Sequence, residues 1–503
     1  MPVKYIKQIL DARVYDVVEQ TPLNDARFLS ERLQNRVLLK REDLQPVHSF
    51  KLRGAYNRMV RLSPEQRESG VIAASAGNHA QGVAFSAQKL GIQAVIVMPE
   101  TTPDTKVRAV RSYGAKAILR GDTFDEACVY AYQLAEEKSY TFIHPYDDPD
   151  VIAGQGTIGM EILRQVSGPL DAIFVPVGGG GLIAGVSAFV KYLRPEIKII
   201  GVESEESACL TAALEKKRRV VLSEVGIFAD GVAVAQIGKE PFRIARQCVD
   251  AMITVNTDEI CASIKDIFDD TRAITEPAGA LAVAGLKKYV QSENVRGKTF
   301  VAINSGANTN FDRLRHISER AELGEQREAL LAVTIPEKPG SFQRFCRLLG
   351  KISISEFNYR YADKETAHVF AGVQIRSIAE RQQLVEKLRE KGYAAQDLSD
   401  NEMAKLHIRH MVGGRPPSIG NELLYRVEFP ERPGALLAFL SKLGERWNIS
   451  LFHYRNHGAA YGRVLVGFQA ESNEAREIEC VLLDIGYRFD SEASNPAYQL
   501  FLK

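Results

Sequence analysis

The sequence predicts a large α/β domain over residues 1–320, followed by two small α+β modules over 329–401 and 423–494. Three observations carry this expectation. Strand-like apolar runs alternate with helical stretches through the first 320 residues, the polar stretch SERAELGEQRE (318–328) carries no strand pattern, and the remaining C-terminal segment is one module written twice. VIAAS (71–75) precedes the small and apolar AGNHAQGVAFSAQKLG, which suits a buried helix ended by Gly91. AVIVMP (94–99), a helix through TPDTKVRAVRSYG, the short strand AKAILRG and the amphipathic FDEACVYAYQLAEEKS come next. DAIFVPV (171–177) and IKIIGVES (197–204) are β-branched runs on either side of a helical LIAGVSAFVKYL. Apolar strands without clean alternation, interleaved with helices, indicate parallel sheets covered on both faces.

The duplication is explicit. IPEKPGSFQRFCRLLG (335–350) realigns with FPERPGALLAFLSKLG (429–444), 94 positions on, and ISEFNYR (354–360) with ISLFHYR (449–455), 95 positions on. FAGVQI matches LVGFQA at the same 95, and Gly392-Tyr393 returns to 94 with Gly486-Tyr487. Each unit reads strand, Pro-Gly turn, helix, strand, strand, helix, strand. The bridge HMVGGRPPSIGN has linker chemistry.

Composition narrows the class of function. Among 503 residues, 64 Lys+Arg against 63 Asp+Glu leave a formal charge of +1, so no overall attraction to nucleic acid or to an anionic membrane is expected. The opening MPVKYIKQILDARVYD lacks the apolar core of a signal peptide, and LIAGVSAFV is stopped by Lys191 well short of a membrane span. Six cysteines are scattered without a CxxC, and the histidines show no ligand spacing. A cytoplasmic protein with reduced thiols and no metal site is expected.

Four segments carry chemistry. VPVGGGGLIAGV (175–186) puts a glycine run between a strand and a helix, where backbone N–H groups and the helix N-terminus can hold a phosphate. Gly179, Gly181 and Gly185 with Glu203 also admit a dinucleotide site, and a purely structural turn remains open. In HSFKLRGA (48–55), Lys51 starts a helix among apolar and small residues; a lysine in such a place loses preference for its charged form and becomes a nucleophile or base. SAGNHAQG (75–82) follows a strand, and Ser75, Gly77, Asn78 and His79 offer hydroxyl, amide and N–H donors to a carboxylate; an N-cap and tight turn is the plainer reading. INSGAN (303–308) ends another apolar run. His48 and His79 flank these residues and read as supporting hydrogen bonds in the site wall.

Together SFKLRGA, SAGNHAQG, GGGGL and SGAN resemble, in order and separation, the fold-type II pyridoxal-phosphate enzymes, specifically the threonine/serine dehydratase group. The resemblance displaces the dinucleotide reading and implies two α/β lobes around the cofactor. It implies that Lys51 carries pyridoxal 5'-phosphate, that Asn78 hydrogen-bonds the ring's 3-oxygen, and that Gly178, Gly179, Gly180, Gly181 and Leu182 cradle the phosphate. Ser305 would face the pyridine nitrogen, where a neutral hydroxyl favours prompt elimination over transamination. Glu276-Pro277-Ala278-Gly279-Ala280 is similar to another family segment, though Glu276 is not expected to be essential. The repeats resemble the paired ACT-like modules of biosynthetic threonine dehydratases. That resemblance implies L-threonine and L-serine as substrates, isoleucine as inhibitor opposed by valine, effector contacts at Tyr359 and Tyr454, and a homotetramer. The rivals are a catabolic serine/threonine dehydratase, a serine racemase, and an amino-acid sensor with an inactive enzyme half.

Overall fold

In the computed structural model the described residues are 3–336, 345, 348–349, 354–360, 365–410, 421–430, 447–455 and 461–502. The chain divides into two units, Met1–Ile317 and Ser318–Lys503.

The first unit contains β1 (Leu23–Asp25), β2 (Arg36–Arg41), β3 (Val71–Ala74), β4 (Ala94–Met98), β5 (Lys116–Leu119), β6 (Thr141–Phe142), β7 (Ala172–Pro176), β8 (Lys198–Ser204), β9 (Ala251–Val255) and β10 (Thr299–Asn304). They form two sheets, in the orders β1-β2-β10-β7-β8-β9 and β5-β4-β3-β6. All pairings are parallel except β1 with β2. The helices that matter for the site are α1 (Lys51–Met59), α2 (Asn78–Leu90), α3 (Asp104–Ser112), α4 (Pro149–Gln165), α5 (Gly181–Leu193), α6 (Thr257–Thr271) and α7 (Pro277–Glu293).

Successive strand residues point to opposite faces, and here both faces are apolar. Ala172, Phe174, Phe300 and Ala302 pack into a core with α6 and α7, while Ile173, Val175, Val301 and Ile303 pack into another with α5. This explains why the strands read as unbroken apolar runs. A third core joins α2 to the smaller sheet through Val83, Ala84, Ala73 and Ile96.

RVLLKR (36–41) holds three cations, yet it is β2, and Lys40 is fully buried. Lys40 Nζ donates to Glu161 Oε2 of α4 at 2.6 Å and to the Thr21 carbonyl at 2.6 Å. Arg53 of α1, also fully buried, meets Glu42 through Nε (2.7 Å) and Nη2 (2.8 Å) and Glu161 through Nη1 (2.6 Å). The two helices can come this close because both carry glycine at the crossing. A Cβ on Gly154 would stand 2.6 Å from the Arg53 carbonyl oxygen and 2.8 Å from Gly54 Cα.

The second unit repeats one fold. β11 (Glu328–Pro336), β12 (Ile354–Arg360), β13 (Thr366–Gln374) and β14 (Ala394–Asp397) form an antiparallel sheet in the order β12-β13-β11-β14. β15 (Glu422–Pro430), β16 (Asn448–Arg455), β17 (Tyr461–Gln469) and β18 (Arg488–Ser491) form β16-β17-β15-β18, the same order. Helices α8 (Ile378–Glu390) and α9 (Ala475–Ile485) occupy equivalent places before the last strand of each. Both sheets carry a register shift at the same point, between Ile354 and Glu356 and between Ile449 and Leu451. The Pro339-Gly340 and Pro433-Gly434 turns and the linker at 411–420 lie outside the described residues. No helix among the described residues is long and apolar enough to cross a membrane.

Arg53→Ala should destabilise the first unit by roughly 3–5 kcal/mol, because it leaves Glu42 and Glu161 short of a partner out of water. Chemical unfolding of the cofactor-loaded enzyme measures this, and a midpoint equal to wild type would contradict it.

Candidate active site

Three site segments leave the C-terminal ends of parallel strands, where open α/β sheets build their ligand sites. The Ser75 turn follows β3, the glycine run follows β7, and Ser305 follows β10. Since β7 and β10 are neighbours in one sheet, the glycine run and Ser305 emerge side by side. The turn before α1 is stitched to the Ser305 turn: Phe50 N donates to the Ser305 carbonyl at 3.2 Å, and Ala307 N to that of His48 at 2.9 Å. Lys51 is thereby carried to the same place.

A cavity results, lined by Lys51, Asn78, Gly178, Gly179, Gly180, Gly181, Leu182 and Ser305, with Phe50, Tyr146 and Glu276 among the other wall residues. Ser75, Gly77 and His79 are not on its wall; they belong to the turn and first residues of α2, which present Asn78. Ser75 Oγ accepts from Gly77 N at 3.2 Å, so part of its capacity is spent locally.

Some helices of this unit are closed by side chains, as Asp148 caps α4 and Asn256 caps α6. The helices at the cavity are not. α2 begins at Gly77 and α5 at Gly180, each without a side-chain cap and without an acid in the first turn. Their first N–H groups and partial positive charge are left for an anion. Gly180 has φ +89°, a conformation that favours glycine. A Cβ on Gly178 would stand 2.9 Å from Val232 Cα, and one on Gly179 would run into the Tyr146 ring. The cradle therefore fits a phosphate against bare backbone and nothing bulkier.

Burial sets the protonation states. Lys51 Nζ donates to the Pro145 carbonyl at 3.3 Å and lies 5.3 Å from the Phe50 ring centre. Desolvation lowers its pKa to about 8, against the pull of the Glu276 carboxylate. His79 is buried with Nε2 2.8 Å from the Ile143 carbonyl. A carbonyl only accepts, so Nε2 carries the hydrogen and Nδ1 is bare; burial and then the Lys51 charge push the ring down to about 3, which leaves it neutral. His79 thus supports the wall, while His48 is exposed. Ser305 Oγ has only a long bond, 3.4 Å, to the Ala278 carbonyl. Buried Glu276 accepts from Asn78 Nδ2 at 2.6 Å.

Residues 14–306 match the family described as pyridoxal-phosphate dependent enzyme, and residues 319–408 and 413–502 each match the C-terminal regulatory domain of threonine dehydratase. The chain is 56% identical to the L-threonine dehydratase biosynthetic IlvA of Burkholderia multivorans over 99% of both chains. The chain belongs to the biosynthetic threonine dehydratases. The Escherichia coli protein of the same name is 55% identical, over 99% of this chain and 97% of its own. Among solved structures, the processed form of threonine deaminase isoform 2 from Solanum lycopersicum superposes with a TM-score of 0.62 at 50% identity, covering 63% of this chain and 93% of that one. A serine racemase from Dictyostelium discoideum gives 0.56 at 31%, covering 61% and 99%. As a threonine dehydratase the chain is a pyridoxal-phosphate enzyme of fold type II with two regulatory modules. The dinucleotide reading of the glycine run falls with that membership.

Tyr359 and Tyr454 take equivalent positions in β12 and β16, opposite Val369 and Val464. Sequence reasoning does not single out Tyr146, since HPYDDP has neither strand nor helix periodicity.

In cofactor-stripped protein, the neutral amine of Lys51 should become available as pH rises through about 8. Amine-directed labelling followed by peptide mapping tests this; a midpoint at the ordinary lysine value of 10.5 would contradict it.

Proposed function

We infer that the chain dehydrates and deaminates L-threonine to 2-oxobutanoate and ammonium, with L-serine as a second substrate, at the entry to isoleucine synthesis. One observation carries the reading. A buried lysine amine, an uncapped glycine cradle and a neutral hydroxyl meet in one cavity of a chain that belongs to the biosynthetic threonine dehydratases.

When bound, pyridoxal phosphate supplies an electron sink that makes the Cα proton of an attached amino acid removable. The rest is the work of this chain. Lys51 would hold the cofactor covalently, and its Nζ, once free, would take the Cα proton of the substrate. Its lowered pKa leaves a useful neutral fraction near neutral pH. Gly178 to Leu182 and the start of α5 would hold the phosphate, and Asn78 would donate to the ring's 3-oxygen. Ser305 offers the pyridine nitrogen a hydroxyl in place of a charge. The turn that holds Ser75, Gly77 and His79 at the start of α2 receives the substrate carboxylate through its hydroxyl, amide and remaining N–H donors. Loss of the β-hydroxyl as water, followed by hydrolysis, returns 2-oxobutanoate and ammonium with no net consumption of water.

The modules at 329–401 and 423–494 serve as regulatory sites beside a catalytic domain at 1–320. Isoleucine inhibits through them and valine opposes it, with Tyr359 and Tyr454 in contact with effector. Inhibition requires that isoleucine bind one state better than another. The enzyme is a cytoplasmic homotetramer in this reading.

Lys51→Ala should lower 2-oxobutanoate production by roughly 10³-fold or more, the combined loss of base and covalent anchor. Retained turnover would sink the assignment. Tyr359→Ala and Tyr454→Ala should each raise the isoleucine concentration for half-inhibition by about five- to tenfold, within the usual range of an allosteric coupling. Unshifted inhibition curves in both variants would remove the tyrosines from the effector site.

A further inference from the structure

Glu276 stands at the N-cap of α7 but does not cap it: no side-chain bond joins its carboxylate to the helix's first N–H groups. The carboxylate is turned into the cavity instead, where it is buried on the wall beside Lys51, Asn78 and Ser305. There it accepts from Asn78 Nδ2 at 2.6 Å. On the other side of the same amide, Asn308 Nδ2 donates to Asn78 Oδ1 at 2.7 Å. Asn308 Nδ2 also donates to the Val47 carbonyl at 2.8 Å. A carbonyl only accepts, so the Asn308 atom facing Val47 is nitrogen. That nitrogen must meet an oxygen on Asn78, and the Asn78 nitrogen must then face Glu276. The chain Val47–Asn308–Asn78–Glu276 admits a single orientation of the Asn78 amide, with one N–H used and one left over.

We propose that Glu276 is a positioning residue that locks Asn78 with its remaining N–H toward the cofactor and couples the ionisation of its own carboxyl to the cofactor ring. This rests on the reading of Asn78 as donor to the ring's 3-oxygen. Space around the carboxylate is kept by Gly306, where a Cβ would stand 2.5 Å from Glu276 Oε1. Burial, and then the Asp230 carboxylate, raise Glu276 to about 7, against the Asn78 hydrogen bond, Lys106 of α3 and Arg313. Lys51 faces it from α1. Asp230 is itself held by Lys106 at 2.6 Å and Arg313 at 3.2 Å, which keeps it ionised throughout. The proton that changes hands near neutrality is therefore that of Glu276. Below the midpoint a neutral carboxyl adjoins Asn78; above it, a negative charge that makes the ring's 3-oxygen harder to ionise.

The test uses the holoenzyme. The visible absorption of bound pyridoxal phosphate, titrated without substrate, should show a step near pH 7 in wild type. Glu276→Gln keeps the shape and an acceptor but removes the proton, so the step should vanish. Its kcat should fall roughly tenfold, as a hydrogen bond to a charged acceptor becomes one to a neutral acceptor, with KM much less affected. Asn308→Ala, on a partly exposed residue, should move the band in the same direction by freeing the amide. Asn78→Ala tests the underlying reading separately: it should shift the band, and adding Glu276→Gln to it should then change nothing further. An Asn78→Ala spectrum identical to wild type would overturn the reading of Asn78. A shifted Asn78→Ala spectrum with an unaltered pH step in Glu276→Gln would overturn the role of Glu276 alone. Should Glu276→Gln not fold, an unmoved band in Asn308→Ala would overturn it equally.

Discussion

Four charges sealed from water fix the helix that carries the cavity lysine, Lys51. Lys40, Glu42, Arg53 and Glu161 are each at most 1% exposed, two cations against two anions. An unpaired charge in such a setting costs several kcal/mol, so the set is stable only when complete. Completing it requires β2, α1 and α4 to meet in one arrangement, which the glycines at 54 and 154 permit. Tyr15 and Thr21 bring the N-terminal stretch into it as well, through Glu161 at 2.9 Å and Glu42 at 2.6 Å. Arg53 lies two residues beyond Lys51 on the same helix. A network whose four charged members do not line the cavity thus anchors the helix that carries Lys51.

The exclusion of water that makes the network costly to break also sorts the acids and bases of the site. Lys51 moves down, Glu276 moves up, and His79 is held neutral, all chiefly by burial. Opposite shifts of an amine and a carboxyl bring both toward neutral pH from their ordinary ranges, where each can exchange a proton during turnover. Of the two histidines nearest the motifs, His79 is held neutral by desolvation and His48 is exposed.

Much of this is legible in the sequence because it is local. Strand runs such as AVIVM and AIFVP recur as β4 and β7, and the 94- and 95-residue offsets of the repeat reappear in strands of matching order and matching register shifts. The motifs around Lys51, Asn78, the glycine run and Ser305 converge on one cavity. Features that depend on a distant partner escape such a reading. Nothing local to RVLLKR shows that Lys40 is buried, because its partner Glu161 lies 121 residues away. Nothing local to Glu276 shows the hydrogen bond it accepts from Asn78, 198 residues earlier. Tyr146 carries no periodic signal and is known only by the glycines it covers.

One assay decides whether the buried lysine, the glycine cradle and the serine work together as a threonine dehydratase. Purified holoenzyme is mixed with L-threonine while the visible cofactor band and 2-oxobutanoate are followed together, and the run is repeated with isoleucine present. The band should shift on mixing and the keto acid should accumulate in step with ammonium, with isoleucine slowing both. A protein that carries pyridoxal phosphate at Lys51, yet shifts its band without releasing 2-oxobutanoate, would contradict that role for the site.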